Sequence, residues 1–409
     1  MRGTAIYRLP YSGICTLIEG NVSEMASCAG LNGRRGFVVA PFEVTAQQPI
    51  LLISPDRVKS MEPADVDDAS LSISHTPLAT DSNSQSPESY PLSTLHLHYS
   101  IDFANFHAQL QEGVFDKIVL ARCVAEPNDG QQTPVQLFRK ACQLYPRLFV
   151  ALVTTPQSGT WLTATPEILL EGSGTAWRTV ALAGTMRLEG EQLAFDTPPS
   201  PDGKQMGDVR WSTKNIQEQR IVATYVIECL EQFLTRLGGG AGCSGDFREE
   251  GPRTVRAANL VHLRSDFTFT LPDTSRLGDL LQALHPTPAV CGLPKREAFR
   301  FIVQNEHTPR RYYSGFMGPL DMEQPTAVAD SPIAGANSPT AVADSPTAGA
   351  AFPQTHLYVS LRCMSLARDT YYLYAGGGLM KDSNEEQEWQ ETEAKLETMR
   401  SLLSLSHSS

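Results

Sequence analysis

Tyr374-Ala375-Gly376-Gly377-Gly378-Leu379-Met380-Lys381-Asp382-Ser383-Asn384-Glu385-Glu386-Gln387-Glu388-Trp389-Gln390-Glu391-Thr392-Glu393-Ala394-Lys395 is the stretch around which the rest of the chain is organised. A strand-like run, Tyr371 to Tyr374, passes through three glycines into a helix. Ser383 with Glu386 three residues on reads as a capping box that sets the helix start. Glu388, Glu391 and Lys395 then fall at i, i+3 and i+7 and share one helical face. Trp389, Leu396, Met399 and Leu403 form an adjacent apolar stripe that must pack on the body of the protein, which draws the charged face towards the core. Gly376, Gly377 and Gly378 read as a turn that lets a ligand approach the backbone and leaves amides free for an anion. Carboxylates, an ammonium and bare amides in so short a span point to a site for an anion and a metal ion. The alternative is a solvated acidic helix after a flexible turn.

Composition limits the possibilities. The 409 residues suffice for a large core, and 41% hydrophobic with 19% charged residues is ordinary for a globular protein. A net charge of −12 argues against nucleic acid or an anionic membrane as partner. An anionic substrate would need a local cluster of cations. The N-terminus has no apolar signal region, and no apolar run approaches the roughly 20 residues a membrane span requires. Eight scattered cysteines without a Cys-x-x-Cys pair fit reduced thiols in a cytoplasmic enzyme.

Residues 1–95 read as a supporting region, with strands at Phe37–Ala40 and Ile50–Ile53 and an Asp/Ser/Pro-rich loop over 61–95. Residues 96–409 carry the chemistry. A helix over Ile101–Gly113 precedes a strand, Phe115–Arg122, in which Lys117, Val119 and Ala121 share a face. Desolvation of such a lysine favours the neutral amine, the form able to take a proton. The alternative is an edge-strand lysine reaching water along its stem. A helix over Pro134–Tyr145 and strands over Phe149–Thr154 and Gly159–Ala164 lead to Thr165-Pro166-Glu167, where partial burial would suit the carboxyl to donate a proton. Thr179–Arg187 reads as a strand ending in a Gly184-Thr185 turn.

Residues 204–237 read as a long helix on whose apolar stripe Glu218 lies with Val222, Tyr225, Cys229 and Phe233. A buried carboxylate there is paired or binds a metal; at the helix start it could instead meet water. Helices are expected over Leu277–Leu284 and Lys295–Asn305. Residues 325–350 hold a tandem 14-residue repeat, rich in Ala, Pro, Ser and Gly, which reads as a disordered insert between two paired strands, with outer limits near 322–354. Arg362 lies near the glycines and could fork onto a carboxylate or form a surface ion pair.

In this order, Asp116-Lys117-Ile118-Val119-Leu120-Ala121-Arg122, Thr165-Pro166-Glu167, Ala181-Leu182-Ala183-Gly184-Thr185, His285-Pro286-Thr287-Pro288-Ala289, Arg362 and the stretch through Glu391 and Lys395 resemble the chorismate-utilising enzymes, related to anthranilate synthase component I, and most closely their isochorismate synthase branch. The resemblance covers Phe115 to Leu402. It implies an α+β fold, the chorismate-binding (ADC synthase-like) fold, with large antiparallel sheets packed face to face and helices outside. It also implies a Mg2+-dependent, reversible conversion of chorismate to isochorismate, feeding menaquinone or siderophore synthesis, in a monomer or weak homodimer. Lys117 would be the general base for water and Glu167 the general acid for the departing hydroxyl. Glu218, Glu388 and Glu391 would be metal ligands. Gly184, Thr185, His262, Ala289, Arg362, Tyr374, Gly376, Gly377, Gly378 and Lys395 would hold the substrate. Anthranilate synthases usually carry Gln at the place of Lys117, and aminodeoxychorismate synthases a lysine at the place of Ala183. Salicylate synthases share the lysine base but usually lack His-Pro-Thr-Pro-Ala, and they are the competing reading. A non-catalytic chorismate-binding protein is the alternative from another class. Asn215 and Gln219 depart from the Asp and His that usually flank the metal glutamate, and Pro319 stands where Trp is common.

Overall fold

The computed structural model describes residues 1–68, 92–188, 209–237, 247–257, 260–323 and 354–404. Strands β1 (Arg2–Arg8), β2 (Cys15–Met25), β3 (Gly36–Ala40) and β4 (Ile50–Met61) come first, then helix α1 (Leu92–Gln111). Strand β5 (Lys117–Pro127), α2 (Pro134–Leu144), β6 (Phe149–Thr155), β7 (Gly159–Thr165), β8 (Ile168–Ser173) and β9 (Ala176–Arg187) lead to the long helix α3 (Thr213–Leu237). The rest is β10 (Phe247–Ala257), β11 (Leu260–Thr270), α4 (Leu277–Leu284), β12 (Gly292–Leu293), α5 (Lys295–Asn305), β13 (Phe316–Leu320), β14 (Gln354–Val359), β15 (Cys363–Leu366), β16 (Thr370–Leu379) and α6 (Glu385–Leu403).

The strands join in the order β10-β11-β9-β8-β14-β13-β3-β4-β2-β1-β6-β7-β15-β16-β5-β12, and the pairings between them are antiparallel. So long a sheet cannot stay flat, because strand twist accumulates. It folds over, and its inner faces meet. Phe149 on β6 stacks on Tyr358 of β14 with ring centroids 4.3 Å apart, although five strands lie between them in the sheet. Tyr7, Phe37, Ile53, Val153 and Trp161 fill this inner layer. Helices cover the outer faces. Val222, Val226 and Leu230 of α3 join Leu280 and Leu281 of α4 on one side. Phe138 of α2 packs with Leu396, Met399 and Leu402 of α6 on the other. This is the expected fold.

Several local expectations are corrected. Gly376, Gly377 and Gly378 form no turn; they lie inside β16, paired with Ala121, Leu120 and Val119 of β5. The N-cap of α6 is Asn384, whose side chain accepts from the Gln387 N–H, so Ser383 and Glu386 make no capping box. Helix α1 starts well before Ile101, at Leu92, and β5 runs on from Lys117 to Pro127. Gly184 sits in a bulge within β9 rather than in a terminal turn: Thr185 pairs with His262 and Ala183 with Leu263, leaving Gly184 over, at φ +71°. The strands of residues 2–61 stand in the middle of the sheet, between β13 and β6. The repeat falls outside the described residues, but the strands on either side of it, β13 and β14, pair with each other.

Candidate active site

Lys117 opens β5 and is wholly buried, with its ammonium 2.8 Å from Glu218 Oε1. The snorkelling alternative therefore does not hold. Glu218 projects from the second turn of α3, and its other oxygen accepts from the Gly184 N–H at 3.2 Å. The bulge is what aims that amide out of the ladder. Burial alone would raise the Glu218 carboxyl, but the Lys117 ammonium, helped by Lys214 and Lys395, more than reverses this and lowers it. Gly378 passes directly over the pair. A Cβ there would stand 2.2 Å from Glu218 Oε1 and 2.7 Å from Lys117 Cε. The glycines thus make room for side chains, rather than offering bare amides to an anion.

Glu167 lies between β7 and β8 and is 3% exposed. Burial pushes its carboxyl up to about 8, against the opposing pull of Lys117, Lys395 and Arg362. At neutral pH it carries a proton it can give.

Arg362 has a left-handed backbone, φ +46°, and a buried guanidinium held by the Ala257 carbonyl at 3.2 Å and by His262 Nε2. Burial lowers it to about 10. A guanidinium only donates, so Nε2 accepts and the ring proton sits on Nδ1, which donates to the Gly184 carbonyl at 3.1 Å. Burial, then Arg362 and Lys395, hold the His262 imidazole well below its usual range, and it is neutral. Arg362 is therefore a buried cation whose hydrogen-bond partners are uncharged. Lys395 reaches back from α6 to the Gly376 carbonyl at 2.8 Å and to Glu391 at 2.7 Å.

These groups surround one cavity, open at its mouth, with about 60 Å³ of enclosed room. Glu167, Gly184, Thr185, Glu218, His262, Ala289, Arg362, Tyr374, Gly376, Gly378 and Lys395 line it, with Ala183 beside them. Lys117 lies just behind Glu218. Gly377, Glu388 and Glu391 do not line it: alternation turns Gly377 to the other face of β16, towards α6, where a Cβ would meet Glu388 Oε2 at 3.2 Å.

Mg2+ was the expected cofactor, on Glu218, Glu388 and Glu391. Among the described residues no three His, Cys, Asp or Glu side chains stand together as a ready-made metal site. Each of the three carboxylates is instead paired with a lysine: Glu218 with Lys117, Glu391 with Lys395, and Glu388 with Lys214. The donor chemistry nevertheless fits a small hard cation, which takes carboxylate oxygens. Glu388 is 1% exposed, and its Oε2 has no hydrogen-bond partner among the described residues.

Sequence reasoning missed four residues. Lys214 precedes Glu218 by four positions on α3, so helical spacing could have found it. Ser383, read as a cap, donates to Glu388 Oε1 at 2.7 Å. Glu306 and Arg310, a fully buried pair, take over the edge of β5 where the short β12 ends. Glu306 accepts from the Ala121 N–H at 2.7 Å, and Arg310 donates to the Val119 carbonyl at 2.8 Å.

The family model described as chorismate binding enzyme matches residues 61–329 and 352–404. Isochorismate synthase DhbC of Bacillus subtilis is 27% identical over 73% of this chain and 66% of its own length. Isochorismate synthase MenF of Escherichia coli is 25% identical over 72% of this chain and 58% of its own. The chain thus spans less than two thirds of either relative. A Bacillus anthracis structure, assigned as a 2,3-dihydroxybenzoate-specific isochorismate synthase, DhbC, superposes with a TM-score of 0.70, at 21% identity, over 98% of this chain and 96% of that one. With a sheet of this order and a cavity built from these motifs, the chain belongs to the chorismate binding enzyme family.

Proposed function

We propose that the protein is an isochorismate synthase, an isomerase that exchanges the C4 hydroxyl of chorismate for a hydroxyl at C2, with Mg2+ as cofactor. The observation that carries this reading is that Lys117, buried just behind Glu218, and Glu167, whose carboxyl burial raises to about 8, stand at one cavity. Lys117, whose ammonium is paired with Glu218, must first release a proton and then takes one from the water that bonds to C2. The ring double bond shifts, the C4–O bond breaks, and Glu167 gives its proton to the departing oxygen, so water replaces water and no oxidant is needed. Each proton transfer is worth about 10²–10⁴-fold. Arg362, with no carboxylate bonded to it among the described residues, and Lys395 would bind the two substrate carboxylates. Neutral His262 holds Arg362 in place, and the Tyr374 ring walls the cavity between Trp161 and Tyr313.

Glu218, Glu388 and Glu391 would hold the Mg2+. Bound there, it would neutralise a substrate carboxylate and fix its orientation. Ala183 lines the cavity and offers no amine, which disfavours the aminodeoxychorismate reaction. Among the described residues none before Val119 lines the cavity, which supports a purely architectural role for residues 1–95. The seven described cysteines are free thiols, in keeping with a reducing, cytoplasmic compartment. Among the described residues no helix is long and apolar enough to cross a membrane.

The test is incubation of the purified protein with chorismate and Mg2+, with products separated by chromatography. Isochorismate is expected. Salicylate with pyruvate would transfer the protein to the salicylate synthases, and absence of turnover would leave a chorismate-binding protein.

A further inference from the structure

Three ammonium–carboxylate pairs stand near one another around β16, only Glu218 and Lys395 of them lining the cavity, and they are not equally closed. Lys117 is fully enclosed. Lys395 is anchored by the Gly376 carbonyl as well as by Glu391. Lys214, in the first turn of α3, holds Glu388 while its side chain remains 26% exposed. Of the three its side chain is the most exposed, at 26% against 18% for Lys395 and 0% for Lys117. Its partner is the least satisfied carboxylate: Glu388 Oε1 takes both Lys214 and the Ser383 hydroxyl, while Oε2 has no hydrogen-bond partner among the described residues.

Charge gives this arrangement a consequence. Three lysines balance three glutamates, and Arg362 adds one positive charge. A divalent cation entering alone would meet an already positive site. A cation arriving with a dicarboxylate would bring no net charge. Buried charges interact strongly enough for this to govern affinity.

We propose that Lys214 is a displaceable counter-ion that holds the cation's place on Glu388, leaving for solvent when a divalent cation and a dicarboxylate bind together. The inference rests on the cation reading of the proposed function. It is a displacement, not a deprotonation, since the departing ammonium remains charged in water. The free protein then binds a divalent cation weakly, and the two ligands help each other.

Mn2+ is the probe, with the unbound ion counted by electron paramagnetic resonance, with and without saturating chorismate. The comparison is between the full chain and its Lys214→Met, Lys214→Gln and Lys214→Arg variants. For the unaltered protein we expect chorismate to tighten Mn2+ binding by about tenfold or more. Lys214→Met should bind Mn2+ alone about tenfold tighter and lose most of the chorismate dependence, while Lys214→Arg should behave as the parent. Lys214→Gln gives the same reading should the methionine variant fail to fold. Equal or weaker Mn2+ binding by both neutral variants overturns the proposal. If the parent converts chorismate and binds Mn2+ but the neutral variants match it, this proposal alone falls. If the parent takes up no Mn2+ under either condition, the cofactor reading falls with it.

Discussion

Lys117 Nζ and Glu218 Oε1 stand 2.8 Å apart beneath Gly378, the one position on β16 where a single added carbon would touch both side chains. Gly378→Ala should therefore act on chemistry before it acts on the fold. A Cβ 2.2 Å from the carboxylate has to push Glu218 or the strand aside. Displacements near 1 Å cost about 10²-fold in rate, and overpacking costs about 1–3 kcal/mol. Turnover of chorismate and a urea melt of the same variant measure the two effects.

Removing the amine has a different signature. Lys117→Met keeps the volume but leaves Glu218 without its partner. The rate should fall about 10²–10⁴-fold. Breaking a buried pair from one side costs about 3–5 kcal/mol. The double variant Lys117→Met, Glu218→Gln should recover much of that stability and none of the activity, as equilibrium unfolding and a product assay would show.

The raised Glu167 carboxyl makes a pH prediction with a definite sign. The folded-state value, about 8, lies above the ordinary 4.5, so the unfolded chain releases this proton first. Its contribution to stability is therefore lost progressively as pH rises from about 4.5 to about 8, and the loss is complete above 8. As a proton donor it also fails above the same point, so the forward rate should have a basic limb near pH 8. Glu167→Gln should flatten the stability profile across this window while lowering turnover about 10²–10⁴-fold. Thermal melts and initial rates from pH 5 to 9.5 check both.

Arg362→Lys tests the unneutralised cation. Lysine cannot reproduce the planar fork, and here the guanidinium also orders His262. Loss of one charged hydrogen bond, about 1.5–3 kcal/mol, should raise KM for chorismate about 10–100-fold and change kcat less. A similar loss in kcat with KM unchanged would move Arg362 from substrate binding to the chemical step.

Chelation should stop the reaction without loosening the protein. Each proposed metal carboxylate already has a lysine partner, so the fold does not depend on a bound cation. With EDTA, turnover should vanish while Tm moves by less than about 2 °C.

Much of this was legible in the chain itself. Helices α4 and α5 have the limits read from sequence, and the segments carrying Lys117, Glu167, Glu218 and Arg362 do converge on one cavity. The failures share a cause. Glycine triplets read as turns because glycine tolerates turns, yet here all three are ladder residues whose missing side chains leave room for Tyr313, Glu388 and Glu218. The pattern Ser-x-x-Glu suggested a cap, but the residue after Ser383 caps instead, and the serine turns inward to Glu388. The support of β5 by Glu306 and Arg310 was invisible, because it arises only where a strand of two residues leaves an edge unfilled.

None of the described residues in the four strands over 2–61 lines the cavity, but the strands span the gap between two wings. One wing carries β9 and β11 with Gly184 and His262; the other carries β5 and β16 with Lys117 and the glycines. Thr4 pairs with Thr154, and Phe37 with Pro319. A chain emerging from its N-terminus must hold these strands in waiting until partners far downstream have been made, and such non-local closure is slow. The keystone pairs within itself, and its two flanks close only when β6 and β13 arrive.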